Sequence, residues 1–223
     1  ANLACGGHAG DAASARHFAT LAARHGVRVT AHLSYPDPAH FGRRSLTLSW
    51  AELAASLTHQ RALLPEVTWL KLHGALYHDA ATRDSLADAV ARWARSQAFT
   101  QVLAPSDSAL ASAAARHGLA VMGEVFAERR YTRDAQGRLG LVPRSLPYAS
   151  ITDLPGAVAQ VRAWLATGTV PAVVAVRADG TLVTEPCTLL GQTVCVHSDS
   201  PLALPLLTAL AELRHGQGQP KQP

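Results

Sequence analysis

The sequence is poor in several residue types, and each shortage excludes something. It has three cysteines, Cys5, Cys187 and Cys195, and no Cys-x-x-Cys pair. An odd, scattered set does not make a disulfide framework, and reduced thiols in a cytoplasmic protein fit it best. Aromatic residues make up 5% of the chain, and its net charge of +4 is scattered instead of striped along a helix. A base-stacking or phosphate-gripping surface for nucleic acid is therefore not expected. No apolar run is long enough for a membrane span. No Gly-rich phosphate loop of the Walker type is present, so no motif provides for autonomous nucleotide binding. Lysine is nearly absent too: Lys71 and Lys221 stand among otherwise arginine cations.

What is present is apolar and ordered. Hydrophobic residues form 48% of the chain, enough for a substantial core, and only the terminal "GQGQPKQP" is of low complexity. This reads as one domain over residues 1–214 followed by a loose tail over 215–223. Strand-like runs fall near Asn2–Cys5, Arg28–Leu33, Trp69–His73, Gln101–Ala104, Ala120–Phe126 and Thr193–His197. Helical patterns fall near 12–25, 50–64, 83–96, 107–117, 155–167 and 202–214. Arg-His-Gly closes three of these helices, at 24–26, 116–118 and 214–216, where glycine accepts a left-handed backbone and cations suit the helix end. "AVVAVRADGTLV" reads as an accessory hairpin turning at Asp179-Gly180. Strands returned by helices make a parallel sheet, and an α/β fold of that kind gathers its chemistry at the carboxyl ends of the strands.

Four of eleven histidines stand there: His8 in "CGGHAGD", His32 in "TAHLSYPD", His73 in "KLHGALY" and His197 in "CVHSD". Glu124 stands near the end of a fifth strand. Residues two apart on a strand face the same way, so Lys71 shares a face with His73, and Cys195 with His197. A buried lysine holds an anion or passes a proton; a lysine at a sheet edge merely snorkels. Asp11 is either catalytic or the cap of the helix from Ala12. Asp37 suits a turn, and Asp199 a helix cap. Arg43 and Arg44 in "HFGRR", or Arg129, Arg130 and Arg144 on later loops, suit a carboxylate or phosphate. The histidines His8, His32, His73 and His197 are also candidate ligands for a divalent metal. Cys5-x-x-His8 and Cys195-x-His197 lack structural-zinc spacing.

In this order, "ANLACGGHAGD", "AHLSYPD", "FGRR", "KLHGALY", "EVFAERRY" and "CVHSD" resemble the LamB/YcsF family, over residues 1 to about 200. The resemblance implies a seven-stranded β/α barrel of the glycoside hydrolase/deacetylase-like kind. It implies an ATP-hydrolysing 5-oxoprolinase, a hydrolase of a cyclic amide that opens 5-oxoproline to L-glutamate. This chain would be its A subunit, working with subunits B and C. ATP enters through the resemblance alone. The family's rim residues fall on His8, Asp11, His32, Asp37, Lys71, His73, Glu124, Arg129 and His197. His73, with Asp11 or Glu124, would then activate water, while Lys71 and Arg43 or Arg44 hold a carboxylate or phosphate. His8, His32 and His197 would position groups or bind a metal. A strand of the form Asp-x-Asn-x-Asp that usually comes first in the family is missing, leaving six barrel strands. Gly7 stands for a usual Phe, Leu33 and Leu72 for prolines, Ser198 for Gly and Glu128 for Asp. Two alternatives follow: a stand-alone metal-dependent amide hydrolase or deacetylase, and a truncated, catalytically impaired subunit that only binds partners.

Overall fold

A computed structural model describes residues 1–134 and 137–216. The elements, in chain order, are β1 (Asn2–Ala4), α1 (Ala12–Arg24), β2 (Thr30–Leu33), α2 (Trp50–Arg61), β3 (Trp69–Leu72), α3 (Gly74–Thr82), α4 (Asp84–Ser96), β4 (Gln101–Ala104), α5 (Ala109–Arg116), β5 (Ala120–Phe126), β6 (Tyr131–Arg133), β7 (Leu139–Leu141), α6 (Leu154–Thr167), β8 (Thr169–Val176), β9 (Leu182–Thr188), β10 (Thr193–Cys195) and α7 (Ala203–Gly216). Two compact units divide them, Ala1–Gly123 and Glu124–Pro223. The tail expected over 215–223 lies, from 217 onward, outside the described residues.

In the first unit β1, β2, β3, β4 and the start of β5 pair side by side, all parallel. The rest of β5 pairs with β10, also parallel, in the second unit. All six strands expected from the apolar runs are present, and the fold is α/β. Interior strands of such sheets are covered on both faces and read as nearly continuous apolar runs. Strand β3 shows this: Leu70 and Leu72 are fully buried, and Lys71 between them is 4% exposed. Strand β3 lies between β2 and β4, so Lys71 is no edge residue with a solvated head.

Helix starts follow local chemistry. Asp11 caps α1: its Oδ1 accepts the Ser14 N–H at 2.7 Å, and the Ser14 hydroxyl accepts the Asp11 N–H at 2.8 Å. Ser49 and Glu52 cap α2 in the same reciprocal way, satisfying donors that an uncapped helix leaves bare. Helix α3 follows β3 after the single residue His73, with no side-chain cap.

The second unit carries its own four-stranded sheet, in the order β7-β6-β8-β9. Strands β8 and β9 form the expected hairpin, turning through Gly180 at φ +84°. Its core packs Ala127, Ile151, Ala157, Val161 and Leu206, with Leu154, Val158 and Val194 against them.

Candidate active site

The first unit gathers three of the four strand-end histidines. His32 is on β2, His73 follows β3, and His8 sits in the loop after β1. His8 lies flat on His73, with ring centroids 3.7 Å apart and planes 8° from parallel. His32 stands edge-on to both, at 5.3 Å and 4.9 Å. His73 Nδ1 is 3.1 Å from His32 Nε2. Each histidine offers a ring nitrogen, and the three nitrogens lie within 4.8 Å of one another.

Backbone carbonyls fix the outer side of two of these rings. His32 Nδ1 is 3.2 Å from the Lys71 carbonyl oxygen, and His73 Nε2 is 2.9 Å from that of Phe41. A carbonyl only accepts, so both nitrogens carry hydrogen. The loop holding Phe41 approaches closely because Gly42 has φ +63°: a Cβ there would stand 2.9 Å from His8 Cβ and 3.2 Å from His73 Cδ2. Gly74, at φ +56°, leaves a Cβ only 2.3 Å from the Gly42 oxygen. Two glycines thus permit a backbone approach that side chains would block.

The surroundings disfavour positive charge on His8 and His32. Burial, then the neighbouring His73 ring and Arg43 guanidinium, lower the His8 pKa to about 3. Burial, then Lys71, push His32 well below the usual imidazole range. Lys71 is paired in register with His32, and its ammonium is 5.9 Å from the centre of the Tyr77 ring.

The other candidates have assigned contacts. Asp11 is the α1 cap. Asp37 accepts from Arg44 Nε at 3.2 Å and lies 2.8 Å from His40 Nδ1. Arg43 sits over the Phe41 ring at 5.0 Å. The Cys5 thiol donates to the Leu3 carbonyl, and burial raises its pKa to about 11.

In the second unit His197 is held by Glu128, whose Oε1 is 2.6 Å from His197 Nδ1 and accepts the His197 backbone N–H at 2.7 Å. Arg129 is buried and donates to the carbonyls of Ala149 and Val142. Glu124 is buried at the middle of β5. Glu128, marked in the sequence only as a lengthened acid, is thus the partner of a candidate residue 69 positions away.

Two buried glutamines support these loops without belonging to any motif. Gln60 on α2 accepts the Ser34 N–H and donates to the Ser34 carbonyl, bracing the loop after β2. Gln160 on α6 donates to the carbonyls of Phe126, Ala127 and Arg129, bracing the loop that carries Glu128. Gly7 gives Gln60 its room, since a Cβ at Gly7 would stand 2.4 Å from Gln60 Oε1.

The LamB/YcsF family model matches residues 1–223. The chain is 39% identical over 213 residues to a protein of Neisseria meningitidis serogroup A named as the A subunit of 5-oxoprolinase, covering 92% of this chain and 82% of that one. It is 41% identical over 227 residues to a protein of the same name from Chloroflexus aggregans, covering 97% and 83%. Among solved structures, the lactam utilization protein from Thermus thermophilus matches with a TM-score of 0.75 and 31% identity, covering 96% of this chain and 85% of that one. On sequence and on fold, the chain belongs to the LamB/YcsF family.

Proposed function

We propose that this chain is the A subunit of an ATP-dependent 5-oxoprolinase, acting with subunits B and C in the cytoplasm. The observation that carries the reading is the close group of His8, His32 and His73, with Lys71 beside His32, in a chain whose relatives are named for this reaction. Its three cysteines are free and buried, which suits a reducing compartment.

The chemistry has four steps. A lactam carbon is a poor electrophile, and transfer of a phosphoryl group from ATP to the lactam oxygen corrects that, releasing ADP. Water then adds to the carbon, and its proton passes to a base. The ring C–N bond breaks, its electron pair goes to nitrogen, and nitrogen takes a proton. The acyl phosphate that remains yields glutamate and phosphate to a second water. His8, His32 and His73 gather ring nitrogens around one point, where the attacking water would be held and oriented. Lys71 supplies a cation for the substrate carboxylate or the phosphoryl oxygens. Within the second unit, Glu128 and His197 form an acid–base pair of fixed orientation.

The test is reconstitution with subunits B and C, 5-oxoproline and ATP, with glutamate release as the readout. His73→Ala and Lys71→Met should each lower the rate by at least about a hundredfold. Unimpaired release in both variants would remove the two residues from the mechanism. Glutamate formed by this chain alone, without ATP, would replace the reading with a stand-alone amide hydrolase.

A further inference from the structure

His32 and His73 present a problem of hydrogen placement. Their outer nitrogens donate to the carbonyls of Lys71 and Phe41. Their inner nitrogens, His32 Nε2 and His73 Nδ1, therefore present lone pairs to each other at 3.1 Å. Two lone pairs at that distance repel unless something positive lies between them. A shared proton would serve two nitrogens but not three. His8 is stacked on His73, 4% exposed, and its Nδ1 has no hydrogen-bond partner among the described residues.

We propose that His8, His32 and His73 bind one borderline first-row divalent cation of the zinc class, with at least one position left for water or substrate. Three arguments converge. An all-imidazole set suits zinc, cobalt(II) or nickel(II) and does not suit magnesium or calcium, which take oxygen ligands. Bonds of about 2.0 Å in tetrahedral geometry place ligand nitrogens roughly 3.3 Å apart, close to the 3.1 Å of His32 and His73. Metal-bound histidines generally donate their second N–H to a carbonyl or carboxylate, which fixes ring and tautomer. Here His32 and His73 both do so.

The neighbouring charge also has a consequence. Lys71 is the register partner of His32, so a dication here is favoured when an anion accompanies it. Hydroxide or the substrate carboxylate would serve. Water on such an ion ionises near neutral pH, and lactam opening consumes water. The inference deepens the proposed reaction at the same site, but its readout is metal uptake, which needs neither lactam nor ATP. Failure of either reading leaves the other standing.

The experiment uses the full chain, stripped with chelator and titrated with zinc chloride and, separately, cobalt(II) chloride. Calorimetry should show one equivalent of zinc bound. Cobalt(II) should give the intense visible absorption of a four- or five-coordinate nitrogen site, bleached by zinc. His32→Ala and His73→Ala should each weaken binding by about 10–100-fold or more, while His59→Ala, exposed on α2, leaves it unchanged. Where a variant fails to fold by circular dichroism, His8→Gln and nuclear magnetic resonance of the unaltered protein replace it: cobalt should shift the ring N–H protons of His32 and His73, held by carbonyls. Substoichiometric uptake by the unaltered chain, or uptake indifferent to these replacements, overturns the proposal.

Discussion

One oxygen of Glu128 receives both the ring Nδ1–H and the backbone N–H of His197, at 2.6 Å and 2.7 Å. The arrangement puts the ring hydrogen on Nδ1 and leaves Nε2 with its lone pair, the form a general base requires. The ring lies nearly parallel to that of Phe126, 5.5 Å away. Glu128 is 3% exposed, and a charge so placed needs its partner. Glu128→Gln keeps the shape and removes the charge. The ring Nδ1–H of His197 should then bond to a neutral amide oxygen instead of a carboxylate, and its proton resonance in nuclear magnetic resonance should move upfield. An unmoved ring N–H resonance would mean that Glu128 serves the backbone alone.

The same pair makes stability depend on acid. Burial alone would raise the Glu128 pKa, but the hydrogen bonds and charge of His197 outweigh it, and the net direction is below the ordinary value of 4.5. A depressed folded-state pKa gives stability that is fully present above the unfolded value and is lost as pH falls through the folded one. Melting temperature should therefore drop below about pH 4.5 more steeply in the unaltered protein than in Glu128→Gln. Parallel curves would show that the pair contributes no linkage.

Gly42 and Gly26 share a backbone but not surroundings. Their φ angles are +63° and +62°. Nothing lies within 4 Å of a Cβ on Gly26, whereas one on Gly42 would meet His8, His73 and Ser34. Gly26→Ala should cost only left-handed strain, about 1–2 kcal/mol. Gly42→Ala should cost that and a further 1–3 kcal/mol or so of overpacking. Urea denaturation of the two variants gives the difference directly. Equal losses would mean the Phe41–Gly42 loop yields without strain.

Much of this architecture is legible in the sequence because parallel strands buried on both faces announce themselves as apolar runs. Asp179-Gly180 likewise marks the β8–β9 turn. Helix α3 is not legible: it begins one residue after β3, at Gly74, without a capping side chain or an intervening loop. Strands β6 and β7 are three residues each, too short for a period to show. The histidines are legible one by one as polar residues ending strands. Their stacking is not, because it depends on the Phe41–Gly42 backbone entering from a loop. The bond of Glu128 to His197 links distant segments and leaves no local trace. Asp11 shows the reverse: its capping place before α1 is readable from "GDAAS", and the structure realises it.

Gln60 and Gln160 do comparable work in the two units. Each is at most 3% exposed and uses its side-chain amide on backbone groups of a loop that follows a strand. Removing either takes a donor from buried carbonyls, and each such loss costs about 1–3 kcal/mol. Gln160→Ala strips a donor from three carbonyls, Gln60→Ala from that of Ser34 while also leaving its N–H unanswered. Both should lower stability by roughly 2–4 kcal/mol in denaturant titrations. Gln160→Ala should also broaden the His197 ring signals, since the braced loop carries Glu128. Sharp, unshifted signals would separate the brace from the dyad.

Lys71 should behave in the opposite sense. It is 4% exposed on an interior strand between two fully buried leucines. Keeping an ammonium there costs desolvation, and a packed hydrophobic residue of similar length is commonly neutral or stabilising at a buried ionic position. Lys71→Met should therefore leave the melting temperature unchanged or raise it, while glutamate release by the reconstituted enzyme falls. That separation is the mark of a charge kept for chemistry, since a structural charge would cost stability when removed. A destabilised Lys71→Met variant would instead make the ammonium part of the scaffold. A stable variant with full activity would leave the charge without a role in either.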